Sequence, residues 1–337
     1  MKIAVDAMGG DFGPRVVVEG AISAAREMDV EVLLVGNKDL IREEFGRYGY
    51  NGPRLSIVSA LESIHMSEGL LSFRRKKRSS IQVGMQLVRD GEADAFVSAG
   101  NTAAVVFLAT RVLGLIPGIE RPGLSILVPT LTGMTLLIDV GANINCTANH
   151  LEQFAVMGKN FMEQVYGVKN PRIGLMSVGE EKSKGNPVTK DVYSRLSASS
   201  LNFVGNVEGN DIYSGRTDVI VSDGFTGNVA LKTSEGVVGS FIRMAKREIT
   251  RDLFAKIGYL LMKRNLKRVI KKMDYAEHGG AQLLGVNGAC VVGHGRSNPV
   301  AVKNAIRVAK DFAASGVQTK IAEDISILVS RKRNNTA

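Results

Sequence analysis

The sequence predicts an α/β fold with a largely parallel sheet, and the prediction depends on two observations. Short apolar runs of strand length recur along the chain, and amphipathic stretches of helical length lie between many of them. The strand-like runs cover residues 2–6, 31–35, 54–58, 95–98, 124–128, 135–139, 173–178, 219–222 and 289–292. The clearest amphipathic stretches cover residues 16–28, 151–165 and 300–314. Strands that alternate with helices in this way are typical of a parallel sheet covered by helices.

The composition predicts one globular unit. The chain has 337 residues, of which 45% are hydrophobic and 23% are charged. It has no internal repeat, no low-complexity segment and no linker rich in Pro or Ser. We therefore expect a single α/β domain over residues 1–337. Residues 240–285 are predicted to be helical throughout, and we expect this segment to protrude from the sheet as a dimer or membrane element.

The sequence also predicts a cytoplasmic protein that uses no metal or organic cofactor. No apolar run reaches the roughly 18 residues that a membrane-spanning helix needs. The first six residues have too few apolar side chains before Asp6 for a signal peptide. The two cysteines, Cys146 and Cys290, form no disulfide framework. The four His are scattered, so no zinc site is predicted.

The net charge of +10 is concentrated in clusters. The first is Arg74, Arg75, Lys76, Lys77 and Arg78, the second is Lys263, Arg264, Lys267, Arg268, Lys271 and Lys272, and the third is 331–333. Such clusters attract nucleic acid, anionic lipid or an acidic protein, although a cluster can also be an ordinary solvated face. No zinc-finger spacing, basic zipper or aromatic RNA-binding strand accompanies them. We therefore expect no nucleic-acid partner.

Five predicted strands end in small polar loops that contain Gly and precede a helix. The loops cover residues 98–103, 139–143, 178–186, 222–228 and 293–298. We expect these loops to meet at the carboxyl edge of a parallel sheet, where α/β proteins bind ligands. The free N–H groups and the dipole of a helix N-terminus favour an anion. The pattern therefore predicts a site for phosphate or a phosphorylated ligand.

Several familiar sites are absent from the sequence. There is no P-loop, no G-x-G-x-x-G that opens a first helix, and no G-x-S-x-G elbow. Cys146 is interpreted as a structural thiol and not as a nucleophile. Asp139 and Asp223 both end strands, and two such acids can hold Mg²⁺, but we favour helix capping or ligand orientation. His294 lies between two glycines, where contact with ligand and an ordinary loop role are equally compatible with the sequence.

Seven short segments of the sequence together resemble a known family. They are residues 6–11, 97–102, 139–143, 179–185, 221–228, 279–285 and 293–295. As a set they are similar to the phosphate acyltransferase family known as PlsX, and the similarity extends from residue 1 to about residue 330. One position differs, because Ala103 occupies a place where the family usually has Gly. Ala is also a small helix-starting residue, so we expect little consequence.

The resemblance implies a fold, a reaction and partners. The fold is a three-layer α/β/α arrangement like those of phosphate acetyltransferase and isocitrate dehydrogenase. The reaction moves a long-chain acyl group from acyl carrier protein to inorganic phosphate, at the start of phospholipid (phosphatidic acid) synthesis. The implied assembly is a homodimer with loose, peripheral membrane association. The implied recipient of the acyl phosphate is a downstream membrane acyltransferase.

The residue types suit this chemistry. Phosphate near neutral pH is already a nucleophile, so it can attack a thioester without a covalent enzyme intermediate. The protein then has to bind phosphate, hold the thioester beside it and stabilise the developing oxyanion. The predicted phosphate cradle is Ser98, Gly100, Asn101 and Thr102. The predicted catalytic residues are Asn143 and Asn228 as donors, Lys184 as a charged clamp, Asp223 as an orienting acid and His294 as a direct donor.

Two surface predictions concern partners. The cluster of residues 74–78 is expected to dock the acidic carrier protein. At 100° per residue, Ile249, Leu253, Phe254, Ile257, Leu260 and Leu261 fall within an arc of about 140°. This stripe, with Lys263 and Lys267 nearby, is expected to contact an anionic membrane. The alternative is a helical hairpin that packs against itself or against a dimer partner.

Three other functions remain compatible with the residues alone. A phosphate acetyltransferase-like enzyme would use acyl-coenzyme A. A metal-dependent dehydrogenase of similar fold would bind a nicotinamide and use Asp139 or Asp223 for Mg²⁺. A basic nucleic-acid-binding protein would use the charge clusters and leave the strand-end loops as turns.

Overall fold

The computed structural model describes residues 1–273 and 279–336, and it describes residues 271–273 and 333–336 by their backbone alone. The strands are β1 (Lys2–Asp6), β2 (Glu31–Gly36), β3 (Leu55–Ser59), β4 (Ala95–Ser98), β5 (Gly123–Pro129), β6 (Met134–Ile138), β7 (Ile173–Met176), β8 (Phe203–Val207), β9 (Val219–Val221), β10 (Ala281–Leu284) and β11 (Ala289–Val292). The helices are α1 (Arg15–Glu27), α2 (Lys38–Tyr48), α3 (Leu70–Arg75), α4 (Ser80–Arg89), α5 (Thr102–Val112), α6 (Ala148–Tyr166), α7 (Pro187–Ser197), α8 (Gly224–Ile249), α9 (Leu253–Met273), α10 (Pro299–Ala314) and α11 (Val317–Thr336).

The described strands form one sheet in the order β3-β2-β1-β4-β11-β10-β5-β6-β9-β7-β8. The pairings are parallel except at β11–β10, β10–β5 and β5–β6. The predicted α/β fold with a largely parallel sheet is therefore confirmed. Three successive antiparallel pairings reverse the chain direction, so the half that ends at β11 and the half that begins at β6 run in opposite directions.

This reversal corrects one prediction. The loops after β4 and β11 leave one edge of the sheet, whereas the loops after β6, β7 and β9 leave the opposite edge. The two sets still approach each other, because Val291, Gln282, Ser125 and Ile138 are aligned in one row across the sheet. Both halves end at about this row. Their loops therefore face each other across β5 and β10, in the middle of the molecule.

Apolar side chains cover both faces of the sheet, as a three-layer arrangement requires. On one face, Ile3 and Val5 of β1 belong to a buried cluster with Phe154 of α6 and Phe312 of α10. On the other face, Ala4 of the same strand belongs to a cluster that includes residues of α3, α4 and α5. Alternate strand residues point to opposite faces, so each strand contributes to both layers of core.

The segment predicted to be helical throughout contains a strand. In residues 240–285, α8 ends at Ile249 and α9 covers Leu253–Met273, but Ala281–Leu284 form β10. Residues 274–278 lie outside the described part of the chain. Gly279 and Gly280 have φ values of 77° and 92°, which suit glycine and lead the chain into the sheet. Pairing of β10 with both β5 and β11 overrides the local helical pattern.

The end of α8 and the whole of α9, residues 236–273, are called the arm. Its apolar side chains are exposed, including Phe241 at 67%, Phe254 at 86% and Leu261 at 82%. Asp252 accepts a hydrogen bond from the Ala255 N–H at 2.7 Å, so a new helix begins there. The predicted stripe from Ile249 to Leu261 is therefore interrupted, and Ile249 belongs to the preceding helix. Within the described residues, no helix combines the length and apolar content that crossing a membrane requires.

Candidate active site

A cavity of about 460 Å³ lies over the middle of the sheet, on the face covered by α5 and α8. Its floor is apolar and is built from side chains of β5, β10 and β11, including Leu124, Ile126 and Val292. Its polar lining comes from loops, from the first residue of α5 and from α8, and it includes Asp11, Thr102, Gly141, Asn228, Lys232, Glu235, His294 and Arg296. An apolar cavity with a few convergent polar groups is the usual form of a small-molecule site.

Helix α8 begins in close contact with the loop after β6. Asp223 caps the helix, because its side chain accepts a hydrogen bond from the Thr226 N–H at 2.8 Å. A Cβ atom added at Gly224 would lie 2.6 Å from the Asn143 carbonyl oxygen, and one added at Gly227 would lie 2.0 Å from the Asp139 carbonyl oxygen. Only glycine permits this approach. The close packing brings the next turns of α8, which carry Asn228 and Lys232, over the cavity.

The buried side chain of Asp139 organises the loop after β6. Its carboxylate accepts N–H hydrogen bonds from Leu124, Gly141, Ala142 and Asn143 at 2.7–3.1 Å, and one from the Asn143 side chain at 2.8 Å. Burial raises the pKa of Asp139, and the surrounding N–H donors oppose that shift. The acid therefore orients a loop, and the helix that follows this loop is capped by Thr147 and not by Asp139.

The same contacts correct the role predicted for Asn143. Its side-chain amide donates to the Asp139 carboxylate at 2.8 Å and to the Pro122 carbonyl at 2.7 Å. An amide nitrogen carries two hydrogens, so both are used within the protein. Asn143 therefore fixes the loop, and its side-chain N–H groups do not face a ligand.

The predicted phosphate cradle is also largely self-bonded. The Ser98 hydroxyl donates to the buried Asp6 carboxylate at 2.7 Å and accepts from the Gly100 N–H at 3.0 Å. The Asn101 side chain donates to the carbonyls of Met66 and Glu68, and its oxygen accepts from the Ala104 N–H. Buried polar groups pair in this way because an unpaired one is costly. Of the four predicted residues, Thr102 lines the cavity.

His294 faces the cavity as a neutral ring. Its Nδ1 accepts a hydrogen bond from the Arg296 N–H at 3.1 Å, so the proton of a neutral imidazole lies on Nε2. Burial and the nearby Lys232 cation lower the pKa of His294, which favours this neutral form. The Lys232 Nζ lies 3.4 Å from His294 Nε2 and 2.8 Å from Glu235. Lys232 is half exposed, so its ammonium can still donate to an anion beside its pair with Glu235, and the imidazole N–H can donate to the same anion.

Lys232 is one of four charged residues of the cavity lining that the sequence interpretation missed, together with Asp11, Glu235 and Arg296. It lies four residues after Asn228, and this spacing places both on the same face of a helix. Lys184 is instead exposed in the loop after β7, and it is not among the described residues that line this cavity. Asp223 does not line the cavity either. The structure therefore brings together Thr102, Asn228 and His294 of the predicted set.

A second cavity of about 350 Å³ adjoins the first. The two share Gly141, and the lining passes from Thr102 in the first cavity to Ala103 in the second. Its walls come from the outer face of α5, from residues 120–122 and from residues 141–143. It therefore forms an extension of the first cavity along α5.

The basic cluster of residues 74–78 is close to this second cavity. Its Arg74 guanidinium lies 6.0 Å from the ring centre of Phe107, which lines the cavity. Lys76 is not available for a partner, because it pairs with Glu68 at 2.7 Å and donates to the Ser63 carbonyl. The other four members of the cluster, Arg74, Arg75, Lys77 and Arg78, are exposed.

Cys146 does not have the properties of a nucleophile. Burial and the nearby Asp139 carboxylate raise the pKa of its thiol to about 12, so the reactive thiolate is disfavoured. The described residues also contain no group of three or more His, Cys, Asp or Glu arranged to hold a metal ion.

Comparison with known proteins decides the family. A family model described as fatty acid synthesis protein matches residues 1–320. A phosphate acyltransferase of Trichlorobacter lovleyi is 48% identical over 327 residues, which cover 97% of this chain and 95% of that protein. The chain belongs to the phosphate acyltransferase family. The predicted resemblance is confirmed, and the chain is an acyltransferase of lipid synthesis.

Solved structures show the same fold. A phosphotransacetylase from Streptococcus pyogenes has a TM-score of 0.59 at 20% identity, with 96% of this chain and 94% of that chain covered. A 4-hydroxythreonine-4-phosphate dehydrogenase from Klebsiella pneumoniae has a TM-score of 0.55 at 14% identity, with coverages of 93% and 99%. At these identities the likeness concerns the fold alone. It confirms the predicted similarity to acetyltransferase and dehydrogenase folds.

Proposed function

We propose that this phosphate acyltransferase moves a long-chain acyl group from acyl carrier protein to inorganic phosphate, and that the acyl phosphate feeds phosphatidic acid synthesis. The observation that carries the proposal is the composition of the first cavity. Lys232, Asn228 and neutral His294 converge on one side of it, above an apolar floor. The polar side suits phosphate and an oxyanion, and the apolar floor suits an acyl group.

The proposed reaction needs no enzyme nucleophile. A phosphate oxygen attacks the thioester carbonyl carbon, a C–O bond forms, and the C–S bond of the tetrahedral intermediate then breaks. The sulfur leaves as a thiolate, which takes up a proton to give the free carrier thiol. Phosphate binds between Lys232 and the N-terminus of α5 at Thr102, where helix N–H groups favour an anion. Asn228 and the Nε2–H of His294 donate to the developing oxyanion.

The remaining predicted residues act by holding these groups in place. Asp223 fixes the start of α8, and Asn143 fixes the loop that contacts it. Ser98, Gly100 and Asn101 shape the turn that presents Thr102. Their hydrogen bonds are made before substrate arrives, which is what preorganisation of a catalytic site requires.

Carrier docking and membrane contact complete the proposal. Arg74 lies beside the second cavity, and the four exposed members of the basic cluster suit an acidic carrier. On the arm, the exposed apolar residues include Leu253, Phe254, Ile257, Leu260 and Leu261, and the exposed basic residues include Lys263 and Lys267. A cytoplasmic homodimer that rests its arm on an anionic membrane would cover these apolar side chains and release acyl phosphate near a membrane acyltransferase.

The test is an assay with separated substrates. Acyl carrier protein that bears a long-chain acyl thioester should react with phosphate to yield the free carrier thiol and an acyl phosphate that hydroxylamine traps. Parallel reactions with acetyl-coenzyme A and with phosphate omitted serve as controls. Thiol release that does not depend on phosphate would contradict the reaction, and a strong preference for acetyl-coenzyme A would contradict the proposed donor.

A further inference from the structure

We propose that the second cavity holds the phosphopantetheine arm of the carrier-bound acyl donor, and that Arg111 and Arg121 bind the phosphodiester at its outer end. The inference depends on the proposed acyl transfer and assigns a path and a binding site to its donor. The reasons are the shape of the cavity, the order of its side chains and the charge at its mouth.

The outer face of α5 forms one wall of this path. Ala103, Val106, Phe107, Thr110 and Arg111 line the cavity and follow one another at helical spacing. Ala103 lies next to Thr102 of the first cavity, and Arg111 lies eight residues further along the helix. At 1.5 Å per residue this wall is about 12 Å long. It therefore leads from the reaction centre to the protein surface.

The side chains change character along the path in the order that the donor requires. The inner part is small and apolar, with Ala103 and Val106, and it adjoins the place where the thioester would lie. The middle has Phe107 and Thr110, which suit the methyl groups and amides of pantetheine. The outer part has two exposed arginines, Arg111 and Arg121. A planar guanidinium is well suited to bind phosphate through paired hydrogen bonds.

The acidic residue in this wall is directed elsewhere. Glu120 lies 3.1 Å from His150 Nε2 and also accepts a hydrogen bond from Asn149, both on α6. Arg74, whose guanidinium lies over Phe107, adds a positive charge beside the middle of the path. The mouth therefore favours an anion, and it is continuous with the surface proposed to dock the carrier.

A fatty acyl chain fits this cavity poorly, because its outer half would lie against two cations. Inorganic phosphate alone would leave the apolar middle uncovered. A flexible arm with an apolar and amide-containing middle and one phosphodiester satisfies the whole lining. The acyl chain itself is then directed over the apolar floor of the first cavity, near Leu124 and Ile126.

The experiment compares three acyl donors of equal chain length in wild type and in Arg111→Glu plus Arg121→Glu. The donors are acyl carrier protein, acyl-coenzyme A and acyl-pantetheine, which lacks the phosphate. We expect the double variant to raise KM about tenfold or more for the two phosphate-bearing donors, since each loses a charge-assisted contact. The KM for acyl-pantetheine and that for inorganic phosphate should stay close to wild type.

Arg42→Glu is the matched control, because Arg42 is an exposed arginine of α2, which packs at the β3 edge of the sheet. An equal loss with all three donors would overturn the assignment, and so would unchanged KM values with acyl carrier protein. Arg111→Lys plus Arg121→Glu should have a lower KM for the two phosphate-bearing donors than Arg111→Glu plus Arg121→Glu, because a positive charge at the mouth is kept. A wild-type enzyme that uses no thioester with phosphate would instead disprove the proposed function itself.

Discussion

The strand-end loops and the arm differ in what surrounds their side chains: polar side chains of the loops are hydrogen-bonded, whereas apolar side chains of the arm are exposed. At the strand ends, the Ser98 hydroxyl donates to the Asp6 carboxylate, and the Asn101 side chain bonds to backbone groups of the same chain. In the arm, large apolar side chains such as Phe254 and Leu261 are more than four-fifths exposed. The loops after β4 and β6 satisfy these polar groups internally, whereas the arm has the character of a surface that binds something else.

This difference separates two kinds of evidence for function. A loop whose hydrogen bonds are already made indicates a fixed shape, so the residues to test are those that still face the cavity. An exposed apolar helix indicates a missing neighbour, so the test is what covers it. Mutations in the two regions should therefore affect different measurements.

The largest expected effect is on turnover. Lys232→Ala and Asn228→Ala should each lower kcat by about 10²–10³, because each removes a donor to developing negative charge. Lys184→Ala is the matched control, because it also removes a lysine but from a loop that does not line the cavity. Steady-state kinetics with circular dichroism as a folding control would check this. A large loss of kcat in Lys184→Ala with normal kcat in Lys232→Ala would show that the cationic donor is Lys184, in the loop after β7.

A second prediction concerns the stability of the loops. Asp139→Ala should lower the free energy of unfolding by about 2–4 kcal/mol, because it leaves several buried N–H groups without their acceptor. Urea unfolding followed by circular dichroism would measure it. Leu261→Ala, in the arm, is the comparison and should change stability little. Equal unfolding midpoints for Asp139→Ala and wild type would show that the loop does not depend on this acid.

A third prediction concerns the arm. Leu260→Glu plus Leu261→Glu should reduce sedimentation with anionic vesicles by at least about tenfold, since each exposed leucine contributes roughly 1.5–3 kcal/mol when buried. Turnover with substrates in solution should be unchanged. Neutral vesicles and high salt are the controls. Failure of the wild type to bind anionic vesicles at low salt would assign the apolar face to contacts between copies of the chain.

A smaller effect is expected at the basic cluster. Arg75→Glu plus Lys77→Glu should raise KM for acyl carrier protein by several fold, with little change for phosphate, because both residues are exposed and act at the rim. Added salt should weaken the wild-type interaction in the same direction. An identical KM for the carrier at low salt would move the docking surface away from these residues.

The smallest effect is a pH dependence of the loop at residues 65–69. The His65 N–H and the Lys76 ammonium lower the pKa of Glu68 to about 2. A depressed carboxyl pKa contributes stability above its ordinary value near 4.5, and that contribution is lost as the pH falls toward 2. Unfolding between pH 5 and pH 3 should therefore be less pH-dependent in Lys76→Met than in wild type. Identical slopes would contradict this ion pair.

The sequence predicted the layers of the fold well, because apolar periodicity reports burial directly. It could not predict the reversal of the sheet. Strand direction depends on how β5 and β10 pair, and β10 is a four-residue strand within a segment of helical character. Local propensity does not contain this information, since the pairing partners are distant in the chain.

The site was predicted by residue type but only partly by role. Ser98, Asn101 and Asn143 lie in loops that border the candidate site, yet their side chains bond to neighbours that the sequence does not identify. Lys232 lies in the cavity, but it follows no strand and belongs to no Gly-containing loop. Its signal was the spacing of four from Asn228, which becomes informative only once the helix is known to cover the sheet.

Helix α8 joins two regions of the molecule. It is a single helix of 26 residues, about 39 Å long at 1.5 Å per residue. Near its start it carries Asn228 and Lys232, and its far end is part of the arm. Gly224 and Gly227 seat that start against backbone with no room for a side chain. One continuous helix therefore connects the exposed arm with the residues that line the cavity.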